Sequence, residues 1–214
     1  MSVPNKRKIL AGCYIDFEGF APNEHRATPP PVLIGIYREG EFKQVVFTGA
    51  YRWAASDQEF GNVHYESDRK QYLKELADST SKGKPLFAYS EHEKNVIEHQ
   101  IGHQITARYK NVRKIAKSYF NRYPDRFPEA GSITENSLSA VTQVLGFKLK
   151  HKLPRGGVTK RLRNVRQFSD SRKKWAAAPD GIKQQWREVL LHNREDAMRL
   201  FDILMALRAR QDGA

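Results

Sequence analysis

The chain of 214 residues contains very little cysteine and no long apolar segment. Its one cysteine, Cys13, excludes an intramolecular disulfide and a zinc site built from cysteines. No apolar run has the length of a membrane span, and the first residues, MSVPNKRKILAG, lack the apolar core of a signal peptide. These absences predict an intracellular, cytoplasmic protein. A hydrophobic content of 39% is enough to bury the core of a single domain spanning residues 1–214.

Acidic residues are scarce relative to basic ones: 24 Asp and Glu stand against 37 Lys and Arg, and the net charge is +13. Such an excess predicts a polyanionic partner, and nucleic acid is the expected one. A membrane partner is not expected, because no strongly amphipathic basic helix with a bulky apolar face is found. Residues 148–174 hold most of the excess, with eleven basic residues and one acidic residue. The eleven are Lys148, Lys150, Lys152, Arg155, Lys160, Arg161, Arg163, Arg166, Arg172, Lys173 and Lys174.

This basic stretch is predicted to be an arm that neutralises phosphates whatever their sequence. Pro154, Gly156 and Gly157 predict that it consists of loop-like pieces. Aromatic residues nearby, at Phe168, Trp175 and 119–123, are candidates for stacking on exposed bases of a single strand. The alternatives are that the stretch is a solvated loop and that the aromatic residues pack in the core.

The order of the predicted elements indicates an α/β protein. Residues 31–49 read as a hairpin that turns at Glu39-Gly40, and PLFAYS (85–90) reads as a short buried strand. Helices are predicted over 67–77, from residue 91, over 104–120, over 134–147 with Thr134 or Asn136 as cap and Gly146 at the end, and as one long or two abutting helices at the C-terminus. We therefore predict a mixed sheet flanked by helices.

Two carboxylates stand in the apolar stretch YIDFEGF (14–20), which is predicted to belong to a strand beginning near Lys8. Side chains alternate along a strand, so Asp16 and Glu18 share one face. Like charges this close repel and lose hydration unless a cation lies between them, and a divalent metal ion would supply that cation. The alternative is that both acids lie at the solvated end of the strand and pair with Lys or Arg.

A metal site needs further carboxylates, and the closing helix offers one. His192 and Asp196 fall on its apolar stripe, so Asp196 is predicted to face the sheet. His192 lies one turn earlier and is a candidate general base, because histidine titrates near neutral pH. The alternative for His192 is a partly buried helix histidine without a catalytic part. Glu195 and Asp202 fall off the stripe and are predicted to be solvated.

The segment SEHEKNVIEHQI (90–101) offers another acid. Glu93 shares a helix face with Val96 and Ile97, whereas Glu91 shares a face with Lys94. Glu93 is therefore the inward carboxylate, and Glu91 is predicted to face water and the helix dipole. An alternative stays open for Glu93, which also stands in the first turn where an acid stabilises the dipole.

Asp16, Glu18, Glu93 and Asp196 are thus predicted to converge at one end of the sheet. Four acids that bind two divalent ions suit phosphodiester hydrolysis, because one ion activates the attacking water and the other stabilises the leaving oxygen. A site of carboxylates without sulfur favours Mg²⁺ or Mn²⁺.

Four motifs in this order resemble the DEDD exonuclease superfamily of the ribonuclease H-like fold. They are DFEG on the first strand, YSEHEK opening a helix, SLSAVTQVLGF, and HNREDA on the last helix. The likeness spans roughly residues 10–205 and is strongest to the predicted branch associated with RecB-type nucleases, which tends to show D-x-E-G, Y-x-x-Y-E, S-L-x-x-(x)-LGF and Y-N-x-E-D.

The resemblance implies a 3′→5′ exonuclease. It makes Asp16 and Glu18 the ligands of the first motif, Glu93 the carboxylate of the second, and Asp196 the last ligand, with Asn193 beside it. Two positions depart from the pattern: the second-motif acid is Glu93 where Asp is usual, and His192 stands where this branch often has Tyr. A histidine four residues before the last aspartate is similar to the subclass in which that histidine deprotonates the attacking water.

Three functions are weighed. The first is a 3′→5′ exonuclease that acts on single-stranded ends of DNA or RNA. The second is an endonuclease on the same fold, since exo- and endonucleases differ in whether the groove is blocked at one end. The third is a non-catalytic nucleic-acid-binding subunit of a larger complex, which would gain nothing from a cluster of carboxylates. A partner protein in a larger nuclease system is compatible with each of them.

Overall fold

A computed structural model describes residues 2–20, 28–55, 63–127, 137–170 and 174–213. The strands in these ranges are β1 (Cys13–Glu18), β2 (Leu33–Arg38), β3 (Glu41–Val46), β4 (Val63–Tyr65), β5 (Leu86–Ala88) and β6 (Tyr109–Asn111). The helices are α1 (Lys6–Leu10), α2 (Arg52–Ala55), α3 (Arg69–Asp78), α4 (Glu91–Ile101), α5 (Val112–Arg122), α6 (Leu138–Val144), α7 (Gly157–Asp170) and α8 (Asp180–Asp212). None of the helices in the described ranges is long and apolar enough to cross a membrane.

The strands form one mixed sheet in the order β4-β3-β2-β1-β5-β6. The pairs β1–β2 and β2–β3 are antiparallel, whereas β1–β5, β5–β6 and β3–β4 are parallel. The predicted hairpin is confirmed: Glu39 and Gly40 connect β2 to β3 with φ angles of 54° and 87°, as a tight primed turn requires. The predicted α/β class with a mixed sheet flanked by helices is confirmed, and it is consistent with a ribonuclease H-like fold.

The side chains of β1 alternate between two layers of helices. Ile15 belongs to a buried cluster with Leu73 of α3 and Ile97 of α4. Tyr14 lies on the opposite face, where it stacks on Phe87 of β5 and meets the edge of Phe201 of α8. Because side chains two apart share a face, Asp16 and Glu18 project toward the α8 side of the sheet.

The closing segment is one continuous helix of 33 residues rather than two abutting helices. Its predicted apolar stripe is buried: Val189, Leu200, Leu204 and Leu207 are each 1% exposed or less. The stripe runs across the sheet from the edge near β3 to the layer of α5 and α6. Asp196, in the middle of the helix, is thereby held over the central strands.

The prediction that residues 148–174 are loop-like pieces is wrong for their second half. Gly157–Asp170 is a 14-residue helix, and its Leu162 and Val165 are fully buried in the cluster that contains Trp186 of α8. Gly156, with φ of 73°, stands just before this helix and not within it. Burial of the apolar stripe stabilises the helix, and the predicted breakers do not interrupt it, because Pro154 and Gly156 precede the helix and Gly157 is its first residue.

Three boundaries also differ from the predictions. The first strand does not begin near Lys8, since Asn5 caps α1 there by accepting a hydrogen bond from the Lys8 amide. The helix predicted over 104–120 begins only at Val112, because Tyr109–Asn111 pairs with β5 as an edge strand. Ser137 caps α6, and the predicted caps Thr134 and Asn136 lie outside the described residues.

Candidate active site

Asp16 and Glu18 lie at the C-terminal end of the central strand β1. Asp16 stands opposite Gly35 of β2, and Gly35 stands opposite Gln44 of β3. A row of three positions therefore crosses three strands on the face covered by α8. Asn193 of α8 is fully buried directly above it.

A chain of amides connects this row to α8. The Gln44 side chain donates to the Asn193 side-chain oxygen at 2.9 Å and to the Leu190 carbonyl at 3.0 Å. The Asn193 side-chain nitrogen donates to the Asp16 carboxylate at 2.8 Å and to the Asp16 carbonyl at 3.0 Å. This chain fixes both the position of Asp16 and the direction in which the Asn193 amide points.

Gly35 makes room for the chain. A Cβ atom at this position would lie 2.4 Å from Oδ1 of Asn193, far inside van der Waals contact. The requirement for glycine here is therefore steric, because the Asn193 side chain, held by its hydrogen bonds to Gln44 and Asp16, fills the space that a side chain would need.

His192 lies between two of the predicted metal ligands. Its Nε2 is 3.8 Å from the Glu18 carboxylate, and its Nδ1 is 3.7 Å from the Asp196 carboxylate. Nδ1 is buried and has no hydrogen-bond partner among the described residues. Burial lowers the pKa of His192 below its usual value, so the ring is neutral at neutral pH and can accept a proton.

Glu93 is buried, as predicted, and is also the acidic partner of the helix cap Ser90. Its carboxylate accepts hydrogen bonds from the Ser90 hydroxyl at 2.8 Å and from the Ser90 amide at 3.2 Å. These contacts form a capping box at the start of α4. The Tyr109 hydroxyl donates to the Ser90 carbonyl and so fixes this turn against β6. Both interpretations of Glu93 thus have a structural basis, since it is buried and it stands in the first turn of α4.

The four acids lie close enough together to shift one another's pKa. Burial raises the pKa of Asp16 well above its usual value, the charges of Glu18, Asp196 and Glu93 raise it further, and the Asn193 hydrogen bond opposes them. Burial and the charge of Asp196 raise the pKa of Glu18, against a hydrogen bond from Asp16. Glu18, Asp196 and Glu93 therefore lie near enough to Asp16 for their charges to act on it, and the convergence of all four acids on one metal site stays a prediction.

The pKa of each of the other two acids, Asp196 and Glu93, is also raised. Burial raises the pKa of Asp196 to about 7, with Glu195 adding to the effect and Arg199 and Lys152 opposing it. Burial also raises the pKa of Glu93, against its hydrogen bonds. Basic side chains thus lower the pKa of Asp196. The charged groups that shift the pKa of Asp16 are all acids. Full ionisation of the cluster requires added positive charge.

The four acids supply carboxylate oxygens, which are suitable ligands for a divalent ion. Their positions in this structure do not form a metal site. Among the described residues, no three His, Cys, Asp or Glu side chains are grouped so that they could hold a metal ion as they stand. The capping box accounts for part of this, because it holds the Glu93 carboxylate on Ser90.

Glu195 is not solvated as predicted. Its side chain is 9% exposed and accepts hydrogen bonds from the Lys150 and His151 amides at 2.8 and 2.7 Å. This contact fastens the first part of the basic stretch to α8, one residue before Asp196.

The other two acids that were predicted to be solvated are partly exposed and paired. Asp202 is 40% exposed and pairs with Arg199 at 2.9 Å. Glu91 is partly exposed and pairs with Lys114 at 2.8 Å.

A cleft of about 350 Å³ opens beside the acids. Glu18 and His192 line its floor, and Arg155 and Gly156 contribute to its wall. Its apolar lining includes Phe17, Phe20, Pro30, Leu153 and Val158. The cleft therefore gives solvent access to Glu18 and His192, and Arg155 places a cation in its lining.

The predicted nucleic-acid-binding cations occupy different surroundings. Arg161 is partly buried and pairs with Glu188 of α8 at 2.5 Å. Arg172 and Lys173 lie outside the described residues. The remaining eight are exposed to solvent, namely Lys148, Lys150, Lys152, Arg155, Lys160, Arg163, Arg166 and Lys174. Among the aromatic candidates, Trp175, Tyr119 and Phe120 are buried in core clusters, as in the packing alternative.

The sequence did not indicate the roles of Gln44, Gly35 and Ser90. For Gln44 a signal exists, because it falls on the same strand face as Phe42 and Val46, where an amide needs a partner. For Gly35 there is no local signal, since the atom that excludes a side chain belongs to Asn193, far along the chain.

No family model, curated protein or solved structure matches this chain. The likeness to the DEDD exonucleases therefore rests on the four sequence motifs, and the function they imply remains a proposal.

Proposed function

We propose that this protein is a metal-dependent nuclease that hydrolyses phosphodiester bonds of DNA or RNA. One observation carries the proposal: Asp16 and Glu18 lie at the C-terminal end of β1, where burial and the nearby charges of Asp196 and Glu93 raise the pKa of both carboxyl groups. A cluster of this kind is unfavourable for folding alone, so its presence favours a cationic ligand.

Asp16, Glu18, Glu93 and Asp196 are the residues that would hold two Mg²⁺ or Mn²⁺ ions. Bound there, such ions would lower the pKa of a water molecule and stabilise the leaving oxygen of a phosphodiester. Asn193 and Gln44 hold the Asp16 carboxylate in one orientation. Ser90 holds Glu93 until a ligand competes for it.

His192 is proposed as the proton acceptor. It is neutral at neutral pH and lies within 4 Å of two of the acids, on the floor of the cleft. General base catalysis by such a group typically contributes roughly 10²–10⁴-fold to the rate. The HNREDA motif resembles the exonuclease subclass that uses such a histidine. A histidine at this position therefore favours an exonuclease of that kind, which acts with 3′→5′ polarity.

The cations beside the cleft are proposed to hold the substrate. Arg155 lines the cleft itself, and the backbone of Lys150 is fastened to α8 by Glu195. Contacts of this kind neutralise phosphates without reading bases, so we expect affinity to fall steeply with salt. A cytoplasmic location and a partner protein remain part of the proposal.

A second function has support in one observation. Glu93 is engaged in a capping box, and the described residues contain no assembled metal group. A non-catalytic nucleic-acid-binding subunit needs no assembled metal site, so these two features are compatible with it. It would bind nucleic acid equally well with and without divalent ions.

The first experiment incubates single-stranded DNA and RNA, labelled at the 5′ end, with the protein and Mn²⁺ or Mg²⁺. We expect a ladder that shortens from the 3′ end and is abolished by EDTA, by Asp16→Ala and by Asp196→Ala. Asp202→Ala is the matched control, because it removes an acid from the same helix at an exposed position. Intact substrate that is still bound would favour the binding subunit, and cleavage of circular strands would favour an endonuclease.

A further inference from the structure

The three tryptophans of the chain differ sharply in exposure. Trp175 and Trp186 are buried in one core cluster, whereas Trp53 is 57% exposed. The Arg52 guanidinium lies 5.9 Å from the centre of the Trp53 ring and 5.6 Å from that of Tyr65. An exposed indole beside a guanidinium is a common feature of surfaces that stack nucleobases.

The backbone that carries Trp53 is held firmly. The neighbouring Ala54 carbonyl accepts a hydrogen bond from the Trp186 indole at 3.0 Å. Tyr51 is fully buried, stacks on Trp186 and donates to the Leu162 carbonyl of α7 at 2.9 Å. Trp53 is therefore displayed from a rigid base, which limits the entropy lost when a ligand stacks on it.

A row of cations connects the candidate active site to this base. At its N-terminal end, α7 reaches the cleft, where Thr159 donates to the Gly19 carbonyl at 3.4 Å and Val158 lines the wall. At its C-terminal end, Arg166 lies close enough to Tyr51 to oppose the rise in the pKa of that hydroxyl. The helix has 14 residues and is thus about 21 Å long.

The exposed side of α7 carries this row. Leu162 and Val165 face the core, while Lys160, Arg163 and Arg166 are exposed at intervals of three residues. Arg166 has an exposed ion-pair partner, Asp170, at 3.4 Å. A surface pair of this kind is weak and yields to a phosphate.

We propose that a single strand of nucleic acid leaves the cleft along α7 and stacks a base on Trp53. The proposal rests on the proposed function in that it takes nucleic acid as the substrate. It specifies a single strand, because the bases of a duplex are stacked on one another and do not offer a free face to an indole. Arg52, Arg163 and Arg166 would contact the phosphates on either side.

The test uses Trp53 as its own probe. Oligothymidylate of about 12 nucleotides, a typical site size for single-strand binding, is titrated in EDTA so that no cleavage occurs. We expect quenching of the tryptophan emission of the native protein and none in Trp53→Phe, since Trp175 and Trp186 are shielded from the ligand. Binding of the same labelled strand is followed in parallel by fluorescence anisotropy.

Affinities of variants separate stacking from charge. Loss of a stacked base weakens binding about fivefold or more, so we expect that loss in Trp53→Ala and a smaller loss in Trp53→Phe. Leu10→Ala is the matched control, because it removes another large exposed apolar side chain. Arg163→Gln combined with Arg166→Gln is expected to weaken binding and to reduce its dependence on salt.

Two outcomes would overturn the inference: tryptophan emission that does not change although anisotropy reports binding, or equal affinities of native protein and Trp53→Ala. Tighter binding of a duplex than of the single strand would also overturn it. Failure of the proposed nuclease activity is distinguishable from these outcomes, because it would appear as intact substrate with Mn²⁺ while quenching in EDTA persists.

Discussion

Asn193 holds Asp16 twice with one nitrogen atom, by donating to its carboxylate at 2.8 Å and to its carbonyl at 3.0 Å. The same amide accepts from Gln44 at 2.9 Å. Gln44 and Asn193 are buried and Asp16 is half-buried beneath α8, so water competes little for these hydrogen bonds. The first carboxylate of the candidate site is thereby fixed to the helix that carries the last one.

Gly35→Ala is expected to disturb this connection. Its added methyl group would overlap Oδ1 of Asn193, and such overpacking costs about 1–3 kcal/mol of unfolding free energy. Urea denaturation measures the loss. Gly181→Ala is the control, because nothing lies within 4 Å of its added methyl group and alanine favours a helix. An equal effect of the two substitutions would contradict the steric explanation.

Stability of the metal-free protein is expected to fall as pH rises from about 4 to about 7. Burial raises the pKa of Asp196 to about 7 from an ordinary value of 3.8. The folded protein therefore retains a proton that the unfolded chain has lost, and by linkage the free energy of unfolding decreases as pH rises through this window.

Comparison with Asp196→Asn measures this contribution together with the effect of the Asp196 charge on Asp16 and Glu18. Unfolding is measured in EDTA. We expect the free energy of unfolding of the native protein to fall by on the order of 2 kcal/mol more between these pH values than that of the variant. Excess Mn²⁺ at pH 7.5 should raise the stability of the native protein and not that of the variant. Parallel pH profiles of the two proteins would contradict the raised pKa.

Glu93 is expected to show its two roles in two substitutions. Glu93→Gln keeps a side chain that can accept hydrogen bonds from Ser90 and removes the charge, so we expect an unchanged or higher stability and loss of cleavage. Glu93→Ala also removes the cap and is expected to lose about 1 kcal/mol of stability. Thermal unfolding and the cleavage assay measure these effects. Full activity of Glu93→Gln would exclude Glu93 from the metal ligands.

Glu195→Ala is expected to weaken substrate binding more than it lowers turnover. The carboxylate accepts from the Lys150 and His151 amides, so its removal detaches that end of the basic stretch from α8. We expect KM to rise several-fold with a smaller change in kcat, because the interaction acts on bound substrate and transition state alike. Asp202→Ala is the control. A fall in kcat alone would place Glu195 in the chemistry instead.

The periodicity of the sequence was sufficient to predict which acids face inward. Asp16 and Glu18 share a face because strands alternate with a period of two, and Glu93 and Asp196 fall on the apolar stripes of their helices. These are local relations, which neighbouring residues determine. The order of strands and helices, and hence the α/β class, follows from the same kind of pattern.

Packing at a distance decided the rest. Ser90, Gln44 and Glu195 have partners that only the fold identifies, and the basic helix α7 forms because Leu162 and Val165 find a core to enter. Gln44 and Asn193 are 149 residues apart in the chain, so no local pattern links them. The sequence by itself determined where the positive charge is concentrated and which acids share a face with apolar neighbours. Only the tertiary structure decided which of them touch, because contact between distant segments depends on how helices are laid across the sheet.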